Sequence, residues 1–440
     1  MQRWVLAAAL IAGSLGAPAA ANGLRLEGHG GPVKGVAVSA DGSRALTASF
    51  DYSVGIWSVE EGRLIAWAEG HEAAANAVAF HPDGRILSVG DDFDLILWSA
   101  EGALLQRFEG HQGKLLAVAL SPDGRMAATA GWDGAIGLWD LDTGASAGWL
   151  RGHKANVNDV VFSPDGAVLY SASYDGTIRV WDLAEQAERE TLVSHGFGIN
   201  RMVLGAGWLA YGAVDGAVRV LDLATRETLA DLTADRRPIL ALAMTPEGDQ
   251  LAVGDGEGHI MVIDTADWSI ARDFRAAARG PIWALAWDGD GRVLAGGLAD
   301  EAAFWPVTSD GGSLFAEGER HFQRDPSEMS NGERQFVRKC AVCHTLDPDG
   351  ARRAGPSLHG VFGRRAGSLP GYRYSPALTG LDMIWNAETI DRLFAEGPDH
   401  VTPGSKMPMQ QIAKPSDRAD LIAFLRANTA SSGASGGQTE

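Results

Sequence analysis

The sequence predicts a multidomain chain, an all-β array of seven like units followed by a smaller module that holds the only two cysteines. Three observations carry this. Apolar pairs recur seven times at a period near forty residues, the signature of a repeat architecture. Between them, β-rich alternating runs are broken by turns such as Pro122-Asp123-Gly124 and Pro164-Asp165-Gly166. Both cysteines, Cys340 and Cys343, fall beyond the last unit. A length of 440 residues allows roughly three domains. The apolar share of 45% and charged share of 21% exclude both a disordered chain and a many-span membrane protein.

Residues 1–21 read as an address rather than as structure. Arg3 precedes the apolar run Val5 to Leu15, and small residues end at Ala19-Ala20-Ala21, a secretory signal expected to be cut before Asn22. The run is short of the ~20 residues that a membrane span needs. The expected mature protein is therefore periplasmic in a bacterium, with no membrane span after cleavage. With 37 Lys+Arg against 56 Asp+Glu, the net charge of −19 argues against nucleic acid as a partner and against attraction to anionic lipid.

The recurring pairs are Ile56-Trp57, Leu97-Trp98, Leu138-Trp139, Val180-Trp181, Val220-Leu221, Val262-Ile263 and Phe304-Trp305, spaced 41, 41, 42, 40, 42 and 42 residues apart. Gly-His precedes the first four at His29, His71, His111 and His153, and Ser194-His195 the fifth. An acid stands six places before the second member of each of the first six pairs: Asp51, Asp92, Asp133, Asp175, Asp215 and Glu257. These residues resemble the Trp-Asp (WD) repeat family, whose units are four-stranded blades of a β-propeller. The resemblance covers about residues 24–305, is strongest in the first four units and implies seven blades. It also implies that Leu24-Arg25-Leu26 is an outermost strand that closes the ring on the last blade, removing two exposed edges. Five histidines among acids invite a metal or catalytic reading. The resemblance implies instead that each His and Asp bond within one blade, as buried polar groups require.

In this family the residue just before each turn acid faces the partner-binding side. Here Phe50, Trp132 and Tyr174 place three large aromatics at equivalent turns, with Asp91 and Val214 at the other two. Aromatics of this kind anchor protein interfaces, so these three are the candidate partner-binding residues; packing against neighbouring blades is the alternative.

Cys340-Ala341-Val342-Cys343-His344 is a C-x-x-C-H motif, the pattern of covalent haem attachment. Two thiols on one short helical stretch reach two vinyl groups, and the adjacent imidazole is aimed at the iron. A structural zinc site would need four N or S ligands, and no second cysteine pair exists. A redox dithiol would sit in an α/β unit, which this region lacks. From Met329 to Thr429 the chain resembles class I cytochrome c, close to the mitochondrial type, an all-α domain. Gly332 and Phe336 fit its N-terminal helix, and residues 419–425 its C-terminal helix. The resemblance implies that Pro356, in Gly355-Pro356-Ser357-Leu358-His359-Gly360, packs on and orients the proximal His344. It implies that Met407, in Pro403-Gly404-Ser405-Lys406-Met407, is the distal iron ligand, 63 residues after His344. It also implies that Arg364, Tyr374 and Trp385 partner the propionates. Met409 is the alternative distal ligand, and His359 and His400 are expected at the surface. Phe394 departs from the pattern, because a tyrosine usually stands there and bonds the methionine sulfur.

The fold class expected is thus a seven-bladed WD-repeat propeller (24–305), a linker (306–327), an all-α cytochrome c domain (328–429) and a disordered tail (430–440). One covalent haem c with His/Met ligation has no open position for substrate and a raised potential. The expected function is single-electron transfer in the periplasm, with the propeller as docking scaffold for a redox partner protein, rather than conversion of a substrate. The alternative is a haem oxidoreductase whose propeller binds a substrate or second cofactor. Charge separates the modules: residues 325–440 carry 13 acids and 13 bases, so the net −19 falls on residues 1–324. Arg338, Lys339, Arg352, Arg353, Arg364, Arg365 and Lys406 lie near the haem motifs and suggest a basic rim for an acidic redox partner.

Overall fold

A computed structural model describes residues 24–232, 238–277, 280–307, 329–341, 343–348, 355–372, 374, 376–402, 407 and 411–429. The leader at 1–21, most of the 306–327 linker, the 430–440 tail, Met409 and the 403–406 stretch lie outside the described residues, as do the side chain of Arg338 and the residues Arg352, Arg353 and Lys406.

The strands, numbered consecutively from β1 (Arg25–Glu27) to β28 (Glu301–Pro306), form seven four-stranded antiparallel sheets. The first blade is β2 (Val33–Val38), β3 (Arg44–Ser49), β4 (Ser53–Ser58) and β5 (Arg63–Glu69), paired in that order. The innermost strands touch one another round the ring, the seventh returning to the first. The ring closes as the resemblance implies. β1 pairs with β28 in the register Arg25↔Ala303, Leu26↔Ala302 and Glu27↔Glu301, making it the outer strand of the last blade. The last strand runs through Pro306, and Val307 is buried beside it, so the propeller extends two residues past 305.

Alternation along the strands gives each blade two apolar faces, and the blades pack face to face. One cluster, for example, joins Ile56 and Ala68 of the first blade to Ile86, Ile96 and Trp98 of the second. Trp57, Trp98, Trp139 and Trp181 have essentially no exposure. An indole N–H buried so deeply needs an acceptor. Each finds a hydroxyl: Trp57 donates to Thr47 at 2.7 Å, Trp98 to Ser88 at 2.7 Å, Trp139 to Thr129 at 2.8 Å and Trp181 to Ser171 at 2.7 Å.

The same hydroxyl meets the blade histidine. In the third blade His111 Nε2 lies 2.8 Å from Thr129 Oγ1, and His111 Nδ1 lies 2.9 Å from Asp133. The first, second and fourth blades repeat the relay through His29, His71 and His153. The blade histidines and acids are therefore structural. Among the described residues no group of three or more His, Cys, Asp or Glu is placed to hold a metal ion. Burial alone would raise the Asp133 carboxyl, but hydrogen bonds from His111 and the Gln112 amide hold it at about 2.

The relay decays where the motif does. In the fifth blade His195 still reaches Asp215 at 3.0 Å, but Tyr211 replaces the hydroxyl, Leu221 replaces the tryptophan, and Arg219 bonds both His195 and Asp215. In the sixth blade Glu257 is not the turn acid expected from spacing. Buried Asp255 accepts from the Glu257 and His259 amides, while Glu257 is exposed.

The C-terminal module is helical: α1 (Asn331–Lys339), α2 (Pro376–Thr379), α3 (Ala387–Glu396), α4 (Pro398–Val401) and α5 (Pro415–Asn428). Ser330 caps α1 by accepting from the Glu333 amide, and Asn386 and Thr389 form a reciprocal capping box on α3. α1 crosses α5 at Gly332, where a Cβ would sit 2.1 Å from the Asp420 carbonyl oxygen, so only glycine permits this approach. Asn331 ties the crossing by donating to Asp417 and Asp420, and Phe336 meets Phe424 with ring centroids 5.5 Å apart. Among the described residues no helix is long and apolar enough to cross a membrane.

Thr129→Val is isosteric but strands the Trp139 N–H and His111 Nε2 in a buried site, which costs ~1–3 kcal/mol for each group left unsatisfied. The urea midpoint of propeller unfolding should fall while the slope of the transition is unchanged; an unshifted midpoint would show that the hydroxyl is dispensable.

Candidate haem site

α1 delivers the attachment motif. Cys340 terminates the helix with its amide bonded to the Phe336 carbonyl, and the next turn returns the Cys343 and His344 amides to the Cys340 carbonyl at 3.0 and 2.8 Å. Neither thiol is in a disulfide, and Cys340 is buried while Cys343 is partly so. Together with His344 they line a crevice enclosing about 1150 Å³ of space, part of it open to solvent. Its walls are mostly apolar: Leu358 and Val361 from the segment between α1 and α2, Leu378 from α2, Ile390, Leu393 and Phe394 from α3 and Leu425 from α5.

The imidazole is aimed. His344 Nδ1 donates to the Pro356 carbonyl at 2.8 Å, which fixes the tautomer and leaves Nε2 as the lone-pair nitrogen. Burial pushes the His344 pKa down, partly offset by that hydrogen bond, so the ring is held in the neutral form that binds a metal. Gly355 makes the approach of this loop to the ring feasible: a Cβ there would lie 2.3 Å from His344 Cε1. Its amide also donates to the Cys343 carbonyl at 2.6 Å, pinning the loop to the motif.

The other expected residues converge on the same space. Met407, Pro356, Arg364, Tyr374 and Trp385 all line it. Arg364 and Trp385 are held together by two backbone bonds, Trp385 N–H to the Arg364 carbonyl and Gly363 N–H to the Trp385 carbonyl. The Arg364 guanidinium donates to the carbonyls of Ser357 at 2.7 Å and His359 at 3.0 Å, which sets its head at the crevice wall. Burial raises the Tyr374 phenol and Arg364 partly counters it, so these two feel each other. Phe394 is buried beside the crevice and its ring carries no hydroxyl to offer a sulfur. His400 is exposed and His359 half-buried, and neither lines the crevice.

Two thiols outside any disulfide, a neutral imidazole with its Nε2 uncommitted, a thioether and a large apolar cleft match the needs of a covalently held porphyrin. A hydrophobic crevice without those donors would not. One lining residue was not anticipated: Tyr52 of the propeller, in the turn after β3 with φ 71°. Burial pushes its phenol up, with Cys343 and Tyr372 beside it. Local sequence carries no sign of this, since the partners are nearly 300 residues apart.

The three propeller aromatics separate. Trp132 and Tyr174 are 50% and 55% exposed, as a docking surface requires, whereas Phe50 is half-buried and stacks on Trp283 at 5.7 Å. Phe50 thus follows the packing alternative. Phe197, 57% exposed, was missed; its neighbour Gly198 lies under the Tyr174 ring, so the two aromatics are adjacent.

The architecture and the site define a β-propeller joined to a c-type cytochrome module. The WD domain, G-beta repeat model matches residues 23–58, 62–99, 102–140 and 145–182, within the first four blades, and the Cytochrome c model matches residues 329–429. The cytochrome c of Sesamum indicum is 42% identical over 109 residues, 24% of this chain and 96% of that protein, and that of Gossypium barbadense is 41% identical over the same shares. A cytochrome c homolog of Rickettsia felis is 43% identical over 100 residues, 56% of its length. Through its C-terminal domain the chain belongs to the cytochrome c family, and with that come a covalently bound haem c and haem-based electron transfer.

Gly355→Ala should force the His344 ring off its bond to Pro356. The variant should keep covalent haem on a denaturing haem-stained gel yet lose the low-spin absorbance spectrum; an unaltered spectrum would show that the loop yields without cost.

Proposed function

We propose that this protein carries single electrons through a haem c ligated by His344 and Met407 and attached at Cys340 and Cys343, in the periplasm, with the propeller docking a redox protein partner. The observation that carries this reading is the single crevice into which residues 63 positions apart bring an oriented imidazole and a thioether. A haem bound there supplies a one-electron couple, and His/Met ligation raises its potential relative to His/His sites. The chain's own residues do the rest. Pro356 holds the imidazole, the apolar wall excludes water, and Arg364, Tyr374 and Trp385 stand where buried carboxylates would need partners.

With both axial positions filled by protein, no position is left for a substrate, which favours electron transfer over substrate conversion. The location rests on the leader at residues 1–21. Docking rests on Trp132 and Tyr174, exposed aromatics on one propeller, and on the acidity carried by residues 1–324. The alternative, a propeller that binds a small molecule, is favoured by the polar cavity described next.

Met407→Ala tests the distal ligand. The sulfur-to-iron band of the ferric protein should vanish and the midpoint potential fall; retention of both would remove Met407 from the iron. Trp132→Ala combined with Tyr174→Ala tests docking: partner capture from periplasmic extract should drop at least about tenfold while the haem spectrum is unchanged, as for loss of interface anchors. Undiminished capture would assign the partner to another surface.

A further inference from the structure

The propeller's central channel has its own chemistry. The second residue of each innermost strand holds an equivalent place in its blade, and Lys34, Asn76, Leu116 and Trp283 among them line the channel mouth. In three blades it is an asparagine that bonds across to the next blade: Asn76 to the Leu115 carbonyl at 2.8 Å, Asn158 to Ile199 at 2.9 Å and Asn200 to Ile239 at 2.8 Å. In the first blade the equivalent residue is Lys34, which makes no such bond. Its ammonium lies 4.6 Å over the Trp283 ring. Lys34, Arg201, Asp159, Asn76 and Trp283 line one cavity of about 730 Å³ that opens to solvent.

The charges in that cavity do not balance locally. Among the described residues Lys34 forms no ion pair. Asp91, whose charge acts on it, is taken up by Lys114 and by Asn76 at 2.7 Å. Asp159 accepts from the Met202 amide at 2.9 Å and the Val160 amide at 3.1 Å, and burial pushes its carboxyl toward the neutral form, with the charge of Arg201 opposing. Arg201 spends one amino group on the Asn158 carbonyl at 2.8 Å. Two cations therefore share a confined polar space in which the one carboxylate among the described lining residues acts on Arg201 and is disfavoured as an anion by burial. Cations gathered out of bulk water without counter-charge are costly unless an anion joins them.

We propose that the channel mouth binds a small oxyanion, a carboxylate or phosphate group held between the Lys34 ammonium and the Arg201 guanidinium, with the Trp283 indole as its apolar wall. The site stands independently of the haem assignment. It is also a selective one. The channel belongs to an acidic propeller, so only an anion small enough to reach both cations gains their full attraction, while a bulky polyanion is repelled at the surface.

The site has a proton signature. Burial, and then the charge of Arg201, lower the Lys34 pKa to about 7, with Asp91 opposing. An anion beside Lys34 favours the ammonium and raises that value. Binding above pH 7 must then take up protons, and affinity must weaken as pH rises from about 6 to 8.5. The other groups facing Lys34 are Arg201, which stays charged, Asp159, and Asp91 with Lys114.

Isothermal titration of the full-length holoprotein at low ionic strength, with inorganic phosphate and separately with succinate, tests this. At least one probe should bind the wild type with a Kd below about 1 mM, and its apparent enthalpy at pH 8 should change between buffers of different ionisation heat. Lys34→Met should weaken binding at least about tenfold and abolish the proton uptake, whereas Lys34→Arg should keep binding without uptake. Uptake that survives in Lys34→Met would place the proton on Asp159. That result, Lys34→Met binding as tightly as the wild type, or a wild type that binds neither probe, overturns the proposal. Should Lys34→Met fail to fold, the buffer dependence of the wild type and the Lys34→Arg titration decide the matter. The haem spectrum, recorded alongside, stays constant in every variant.

Discussion

Everything the propeller presents depends on how its ring is closed. Seven blades stacked by their apolar faces leave the first and last sheets to be joined, and an open ring would expose strand edges ready to pair with other chains. A strand of three residues does the joining. Leu26 is fully buried against Trp57 and Phe304, the Phe304 amide donates to the Leu24 carbonyl at 2.8 Å, and Arg25 pairs with Glu301. The entropy of closing so long a loop grows only slowly with its length, so a short strand with a buried leucine suffices where the blade faces already align. Fixing that junction also fixes the channel: Lys34 of the first blade and Trp283 of the seventh meet only because the ring is shut.

Legibility in the sequence followed the physics of each interaction. The blades were readable because a period of forty residues recurs, and the His–Asp pairing because buried polar groups must be satisfied locally. The shared hydroxyl at Thr47, Ser88, Thr129 and Ser171 went unread, although it stands ten residues before each tryptophan; Ser and Thr are too common on strands to draw notice singly. Glu257 misled because spacing marks a turn but not which acid in the turn is buried. Phe50 and Tyr52 were illegible for a different reason. Their fates depend on Trp283 and Cys343, contacts made across the ring and between modules, which no local pattern encodes.

The cytochrome module was more transparent because its chemistry is concentrated. One pentapeptide supplies both thiols and the imidazole, and one glycine, Gly355, lets the orienting carbonyl of Pro356 approach. Burial, with Cys343 nearby, pushes the Cys340 thiol up to about 12.

The two modules meet along a short physical route. Tyr52 lines the crevice next to Cys343; two residues back, Phe50 stacks on Trp283; and the Trp283 indole lies under the Lys34 ammonium at the channel mouth. The charge of Asp91 acts on Tyr52 and on Lys34 alike. Since residues 325–440 carry no net charge while residues 1–324 carry −19, the sign of the long-range field is set by the N-terminal part of the chain. A scaffold chosen only to hold a haem near a partner would need no cations in its channel; this one lines its channel with Lys34 and Arg201.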